Sequence, residues 1–174
     1  MPVTSFKRRT VQGVAAVLML GAGLVVSAPA AHAAAPTPEV KLRNLAKWSQ
    51  GIAIQGTDRN YGLAYEYSVA YSYVPVFTVS RNSDGSYSMR ERDEGTHRCL
   101  DSNGAGNVYG IPCNGGDYQH WWFNFKGTAS VQGQTINLWE VVDKATGRCL
   151  DANGLDVYTG GCNGGNYQKW IMAQ

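Results

Sequence analysis

Twice along the chain an aspartate, a tyrosine and an asparagine follow one another at nearly the same spacing: Asp101, Tyr109 and Asn114, then Asp151, Tyr158 and Asn163. An ionised carboxylate only accepts hydrogen bonds, and it can take them from two neighbouring hydroxyls at once. An asparagine amide both donates and accepts, which matches a hydroxyl that does the same. A tyrosine offers an apolar ring face with a polar tip. Glycines on both sides let backbone come close to whatever is held. The set suits a ligand that carries several hydroxyls on an apolar frame. Each residue also has a plainer use, because an aspartate after Cys-Leu caps a turn and Asn-Gly-Gly is a tight-turn sequence. Recurrence of all three at one spacing favours the ligand. Asn103 and Asn153 read as turn residues, and Trp121 and Trp170 as core.

Catalysis finds little support. Outside the first 33 residues the histidines are His97 and His120, the second inside a turn and read as surface filler. Asp93 and Glu94 are sequence neighbours that point to opposite faces of a strand, a poor acid–base pair. No G-x-S-x-G, H-E-x-x-H or phosphate-loop pattern occurs. The expectation is a binding protein, not an enzyme, with no cofactor.

The recurring residues sit in a longer repeat. Arg98–Trp121 and Arg148–Trp170 align with one deletion, and 15 of 23 aligned positions are identical. The shared letters are R-C-L-D-x-N-G, V-Y and C-N-G-G-x-Y-Q-x-W. The copies are offset by 50 residues before the gap and 49 after it, a period that signals repeat architecture. All four cysteines belong to these copies. Four cysteines allow three pairings; one pair per copy selects Cys99–Cys113 and Cys149–Cys162. Zinc would need closer C-x2–4-C spacing, so no metal is expected.

A third, worn copy is expected upstream, where "VKLRNLAKWSQGIAI" (40–54) lies over "YSMRERDEGTHRCLD" and "INLWEVVDKATGRCLD". It lacks the cysteines, the C-L-D and the Q-x-W. Its middle, "YGLAYEYSVAYSY" (61–73), alternates with strict period two, the mark of a strand. Thirteen residues are long for one strand, so two strands meeting near Ser68 are an alternative. The tyrosines there pack on one sheet face or form an aromatic contact surface. Elsewhere short β-rich runs ("PVFTVS", "YSMRE", "WWFNF", "INLWEVV", "KWIMA") alternate with Gly/Asn/Asp/Ser clusters. No amphipathic helix is visible. Three four-strand units with closed edges predict an all-β fold, a β-trefoil over 40–174 with lobes near 40–86, 87–135 and 136–174.

The N-terminus carries Lys7, Arg8 and Arg9, an apolar run over 14–26 and a small-x-small "AHA" at 31–33. This reads as a secretory signal peptide, 1–33, cleaved after Ala33; the arginine pair lacks the apolar residues that twin-arginine export expects. Residues 34–39 are a short extended arm. The mature chain would be 174 − 33 = 141 residues, three times 47. Formal charge falls from +2 to 12 − 13 = −1 once those three cations leave, which argues against nucleic acid. No other stretch is apolar enough to span a bilayer. Export also favours disulfides over free thiols.

The strings "LDSNGAGNVYGIPCNGGDYQHW" and "LDANGLDVYTGGCNGGNYQKW" resemble the ricin-type β-trefoil lectins, and among them most closely the actinohivin-like, mannose-binding lectins of actinomycetes. The resemblance is specific over 98–121 and 148–170 and only topological over 40–86. It implies one mannose-type pocket per intact repeat, lined by Asp101, Tyr109, Ile111 and Asn114 in the middle copy. In the last copy the same places hold Asp151, Tyr158, Gly160 and Asn163. Tyr118 and Tyr167 either join the pocket rim or pack in the core. The aspartate's place in the first copy falls near Ile54, so that copy should be blank. The implied function is a secreted glycan-binding protein. The alternative is an interaction module whose tyrosine-rich first third docks a secreted protein partner.

Overall fold

The computed structural model describes residues 38–55, 60–65, 74–92, 98–154 and 156–174. The expected signal peptide and cleavage site, the tyrosines of 66–73, and Asp93, Glu94 and His97 lie outside them. Twelve strands follow in order: β1 (Glu39–Asn44), β2 (Gln50–Gln55), β3 (Asn60–Tyr65), β4 (Phe77–Arg81), β5 (Tyr87–Glu91), β6 (Arg98–Ser102), β7 (Val108–Pro112), β8 (His120–Val131), β9 (Gln134–Asp143), β10 (Cys149–Asn153), β11 (Asp156–Gly160) and β12 (Trp170–Ala173). Two short 3-10 turns, Asp117–Gln119 and Asn166–Gln168, complete the described residues' regular structure. None of it is a helix long and apolar enough to cross a membrane.

Six strands close on themselves. β1 pairs β4, β4 pairs β5, β5 pairs β8, β8 pairs β9, β9 pairs β12 and β12 returns to β1, all antiparallel. Closure removes every free edge from that ring. The other six strands form three hairpins, β2–β3, β6–β7 and β10–β11. These join each other through Asn60↔Tyr109, Asn107↔Tyr158 and Asp156↔Gly62. A six-stranded barrel with three mutually paired hairpins is a β-trefoil.

The hairpins leave the barrel in one register. Arg43 faces Gly51, Arg90 faces Cys99 and Val142 faces Cys149. These pairings superimpose the three lobes residue by residue, and the core obeys them. Leu42, Met89 and Val141 are equivalent and fully buried. So are Ile52, Leu100 and Leu150, and so are Phe77, Trp121 and Trp170. The first lobe therefore replaces the tryptophan of Q-x-W with Phe77 and its glutamine with Pro75. Alternation places the aspartate's equivalent at Ala53, opposite Gly62, just as Asp101 faces Tyr109 and Asp151 faces Tyr158. The place near Ile54 is thus one residue off; Ile54 pairs with Tyr61, and a one-residue slip changes the face of the sheet.

Strand β3 realises the alternating pattern over Asn60–Tyr65, and Tyr61 is buried against Phe77 (6.0 Å between ring centroids). The barrel hairpin β8–β9 is longer than "WWFNF" and "INLWEVV". It carries a bulge between Phe125 and Thr128 and turns at Gln132 and Gly133, both at positive φ, as a two-residue hairpin turn requires. β9 accordingly begins at Gln134.

Both disulfides pair within a copy, Cys99–Cys113 and Cys149–Cys162. Each closes a loop worth about 3 kcal/mol by chain entropy. The sulfurs so joined are not free to ligate a metal, although Glu140 lies beside the second pair. The indole nitrogens of Trp121 and Trp170 donate to the carbonyls of Leu100 and Leu150 (3.0 and 2.9 Å). Trp170→Phe, the residue type the first lobe uses, removes that bond together with part of the buried ring. The expected loss is roughly 2–4 kcal/mol, because a buried carbonyl is left short of a donor and the smaller ring leaves a void. Urea unfolding with an unchanged m-value measures it.

Candidate functional site

Each intact lobe gathers its polar residues where a hairpin meets the turn before the last strand. In the middle lobe Asp101 on β6 and Tyr109 on β7 face each other across the ladder. Asp101 is 3% exposed. Burial raises its pKa above the ordinary 3.8; the Gln119 amide and Tyr109 hydroxyl oppose that, and the Asp143 charge adds to it. Tyr109 is half-buried. Its hydroxyl donates to the Ser102 carbonyl (3.1 Å). Burial, then the neighbouring Asp101, pushes its pKa up. Ile111 stands two residues on, half-buried, opposite Cys99.

The Asn-Gly-Gly segment is built to turn. Asn114 Oδ1 accepts the Gly116 N–H (2.7 Å), and Asn163 Oδ1 accepts that of Gly165 (2.7 Å). The first glycines, Gly115 and Gly164, sit at φ +71° and +70°, open to glycine and strained for other residues. A Cβ on Gly165 would lie 2.8 Å from Asn163 Oδ1. The asparagines therefore serve the turn with their oxygens, and their amide nitrogens stay exposed.

The sequence reading missed the glutamine of Q-x-W. Gln119 and Gln168 are each 1% exposed. Gln168 Oε1 accepts the Asn163 N–H (2.7 Å), while its Nε2 donates to Asp151 Oδ2 (2.8 Å) and the Gly161 carbonyl (2.8 Å). Gln119 likewise accepts from Asn114 N (2.8 Å), donates to the Pro112 carbonyl (3.2 Å) and lies against Asp101. One amide thus locks the Asn-Gly-Gly turn to the aspartate. The signal was present, since Y-Q-x-W is shared by both copies, but a glutamine is ordinarily a surface residue.

Tyr118 and Tyr167 lie on the rim, 40% and 39% exposed. The Tyr118 hydroxyl reaches the β6–β7 turn, 3.6 Å from where a Cβ on Gly104 would be. Asn103 shapes that turn, its Oδ1 accepting from Ala105 N and Asn107 N. Lys144 fixes the 3-10 turn that carries Tyr118 by bridging Asp117 (2.8 Å) and Asp84 (2.7 Å). His120, expected on the surface, is instead half-buried, 3.6 Å from Asp117, because it opens β8 opposite Ser88.

The last lobe repeats the backbone and changes the side chains. Asp151 is buried, its Oδ1 accepting from Ala152 N (2.8 Å) and its Oδ2 from Gln168. Gly160 occupies the place of Ile111. A Cβ there would lie 3.3 Å from the Tyr158 ring, so the ring lies over the glycine. Burial, then Asp151, raises the Tyr158 pKa. A hollow of about 380 Å³, walled by Pro38, Val40, Val76 and Arg92, shares no residue with either cluster.

No family model and no curated protein matches the sequence. Solved structures do match. The hemolytic lectin CEL-III aligns over 80% of this chain at 20% identity and TM-score 0.60, and this chain spans only 33% of it. SeviL, solved with asialo-GM1 saccharide, aligns over 78% of this chain and 95% of its own, at 14% identity and TM-score 0.56. The cytolethal distending toxin of Actinobacillus actinomycetemcomitans aligns over 79% and 92%, at 13% identity and TM-score 0.60. At these identities the likeness shows the fold alone, a β-trefoil.

Because the folded pKa of Asp101 is raised, the native state holds this proton more tightly than the unfolded chain. The group favours folding most below pH 3.8, and that contribution is lost as pH rises through the folded value. Asp101→Asn has no such loss. Its melting temperature relative to the parent should therefore rise between about pH 3.5 and about pH 7. A relative fall over that interval contradicts the raised pKa.

Proposed function

We propose that this chain is a secreted carbohydrate-binding protein that recognises mannose-type or related glycans through its second and third lobes. The observation that carries the reading is a pair of equivalent buried aspartates, Asp101 and Asp151. Each lies beside the glutamine of its own lobe and opposite a tyrosine, and that glutamine also accepts the backbone N–H of the asparagine that opens the Asn-Gly-Gly turn. A carboxylate held beforehand loses little freedom when it takes two hydroxyls. The resemblance to actinohivin-like lectins supports the mannose preference, and the lectin-type fold supports glycan binding in general. Two disulfides and the N-terminal signal pattern support export.

The middle lobe is the stronger site. Ile111 supplies an apolar wall that Gly160 lacks, a difference of about 1–2 kcal/mol for a contact of that size, or about tenfold in affinity. Asp151 has both oxygens engaged, one of them by a backbone N–H. The first lobe, with Ala53 and Gly62 in the two key places, is blank. Titration of the parent, Asp101→Ala and Asp151→Ala with a soluble mannose disaccharide tests this. Asp101→Ala should remove most binding and Asp151→Ala little. The reverse result overturns the ranking. If no glycan on an array binds the parent, the docking-module reading replaces this one.

A further inference from the structure

The arginine that opens each R-C-L-D string has two different fates. In the middle copy Arg98 lies 3.5 Å from the buried Glu91 carboxylate, which also accepts the Tyr61 hydroxyl. The equivalent of Glu91 in the last lobe is Asp143, by the register that aligns Arg90 with Val142. Asp143 is one methylene shorter, and its Oδ2 is turned to Thr146, accepting from both N (3.0 Å) and Oγ1 (2.5 Å). Arg148 is left without an acidic partner among the described residues. It reaches instead into the middle lobe, where Nη1 donates to the Gly104 carbonyl (3.0 Å).

Gly104 belongs to the turn beneath the middle-lobe cluster. The Tyr118 hydroxyl flanks that same glycine, Tyr118 and Asn103 lie beside Tyr109, and Tyr109 lies beside Asp101. Arg148 Nη1 also lies 3.5 Å from where a Cβ on Gly106 would be. The turn is pinned from the third lobe a second time by Thr159 N donating to the Gly106 carbonyl (2.7 Å). A guanidinium has five N–H donors in a fixed fork, and the one bond to Gly104 leaves the rest uncommitted while it holds the group in place. An anchored cation with no acidic partner among the described residues, at the rim of a hydroxyl-gripping cluster, matches an anion attached to the same ligand.

We propose that Arg148, contributed by the third lobe, belongs to the middle-lobe site and holds an anionic substituent (carboxylate, sulfate or phosphate) of the bound glycan. This rests on the carbohydrate reading above. The site then takes a sugar whose hydroxyls go to Asp101 and whose acidic group goes to Arg148. The third-lobe cluster, beside the first lobe, has no such arginine to borrow, because Gly51 follows Gln50 where Cys149 follows Arg148.

The test uses the mature protein and four probes: mannobiose, mannobiose bearing a 6-phosphate, the same disaccharide bearing a 6-sulfate, and a disaccharide ending in glucuronate. The parent should bind at least one acidic probe about five- to tenfold more tightly than mannobiose at low salt, and the gain should shrink as salt rises. Arg148→Gln should erase that gain, so that the acidic probes bind this variant no more tightly than mannobiose binds it; Arg148→Lys should retain part of the gain. Circular dichroism melts confirm that the variants fold, and a misfolded Arg148→Gln is replaced by Arg148→Lys as the reading. Mannobiose binding with no preference for any acidic probe overturns this proposal alone. So does a preference that survives Arg148→Gln. No binding to any of the four, by a parent that also fails on the glycan array, overturns both this and the carbohydrate reading.

Discussion

The bond from a buried indole to a hairpin carbonyl holds the two layers of this molecule together. Trp121 and Trp170 fill the barrel, and each would bury an unpaired N–H if it had no acceptor. The acceptors are Leu100 and Leu150, whose side chains lie in the same core. The next residue in each strand is the aspartate. One contact therefore ties the barrel to the hairpin and sets the height of the carboxylate above the core. The glutamine two residues before each tryptophan meets that carboxylate from the turn side. Q-x-W is a single device in which the Trp end positions the strand and the Gln end positions the loop.

The first lobe keeps the fold without this device. Phe77 takes the tryptophan's place in the core with no N–H to satisfy, so Ile52 need not serve as an indole acceptor. Pro75 replaces the glutamine, and there is neither an aspartate nor an Asn-Gly-Gly turn to clamp. Cross-lobe contacts take over. Tyr61 stands where the other lobes have Val108 and Val157, and its hydroxyl donates to Glu91. Gly110 in the neighbouring hairpin makes room, since a Cβ there would lie 2.7 Å from that hydroxyl. A polar tip buried in the core requires a partner, so the worn lobe is fastened to the second lobe from both sides of this contact.

The fold was legible because its repeat was legible. Fifteen shared letters fixed the disulfides and the aligned strands, and strict alternation over 61–65 marked β3. What failed to show has physical causes. Without a cysteine or a C-L-D to anchor it, the first copy could be slid by one residue, and only the pairing of Arg43 with Gly51 separates Ala53 from Ile54. The far half of β8 and the start of β9 set exposed Thr128, Ser130 and Thr135 against only partly buried Ala129, Val131 and Ile136, so the apolar alternation there is short and weak. Buried glutamines and a half-buried His120 are invisible to composition because burial there is set by hydrogen bonds rather than by hydrophobicity.

The two retained clusters share a backbone, so their differences isolate what side chains alone can do. Ladder register places Ile111 and Gly160 at the same point opposite the first cysteine of each copy. At Gly160 the missing side chain and the position of Tyr158 are a single change, because the ring lies where a Cβ would crowd it at 3.3 Å. The last lobe has covered its own wall with its own tyrosine. In the middle lobe the β6–β7 turn is tied to the third lobe by Thr159 and Arg148. A threefold scaffold makes such borrowing natural, because every hairpin touches both others. Drift in one lobe then changes the site of its neighbour. Asp143, one methylene shorter than Glu91, is turned to Thr146, and Arg148 reaches the turn of the middle lobe instead.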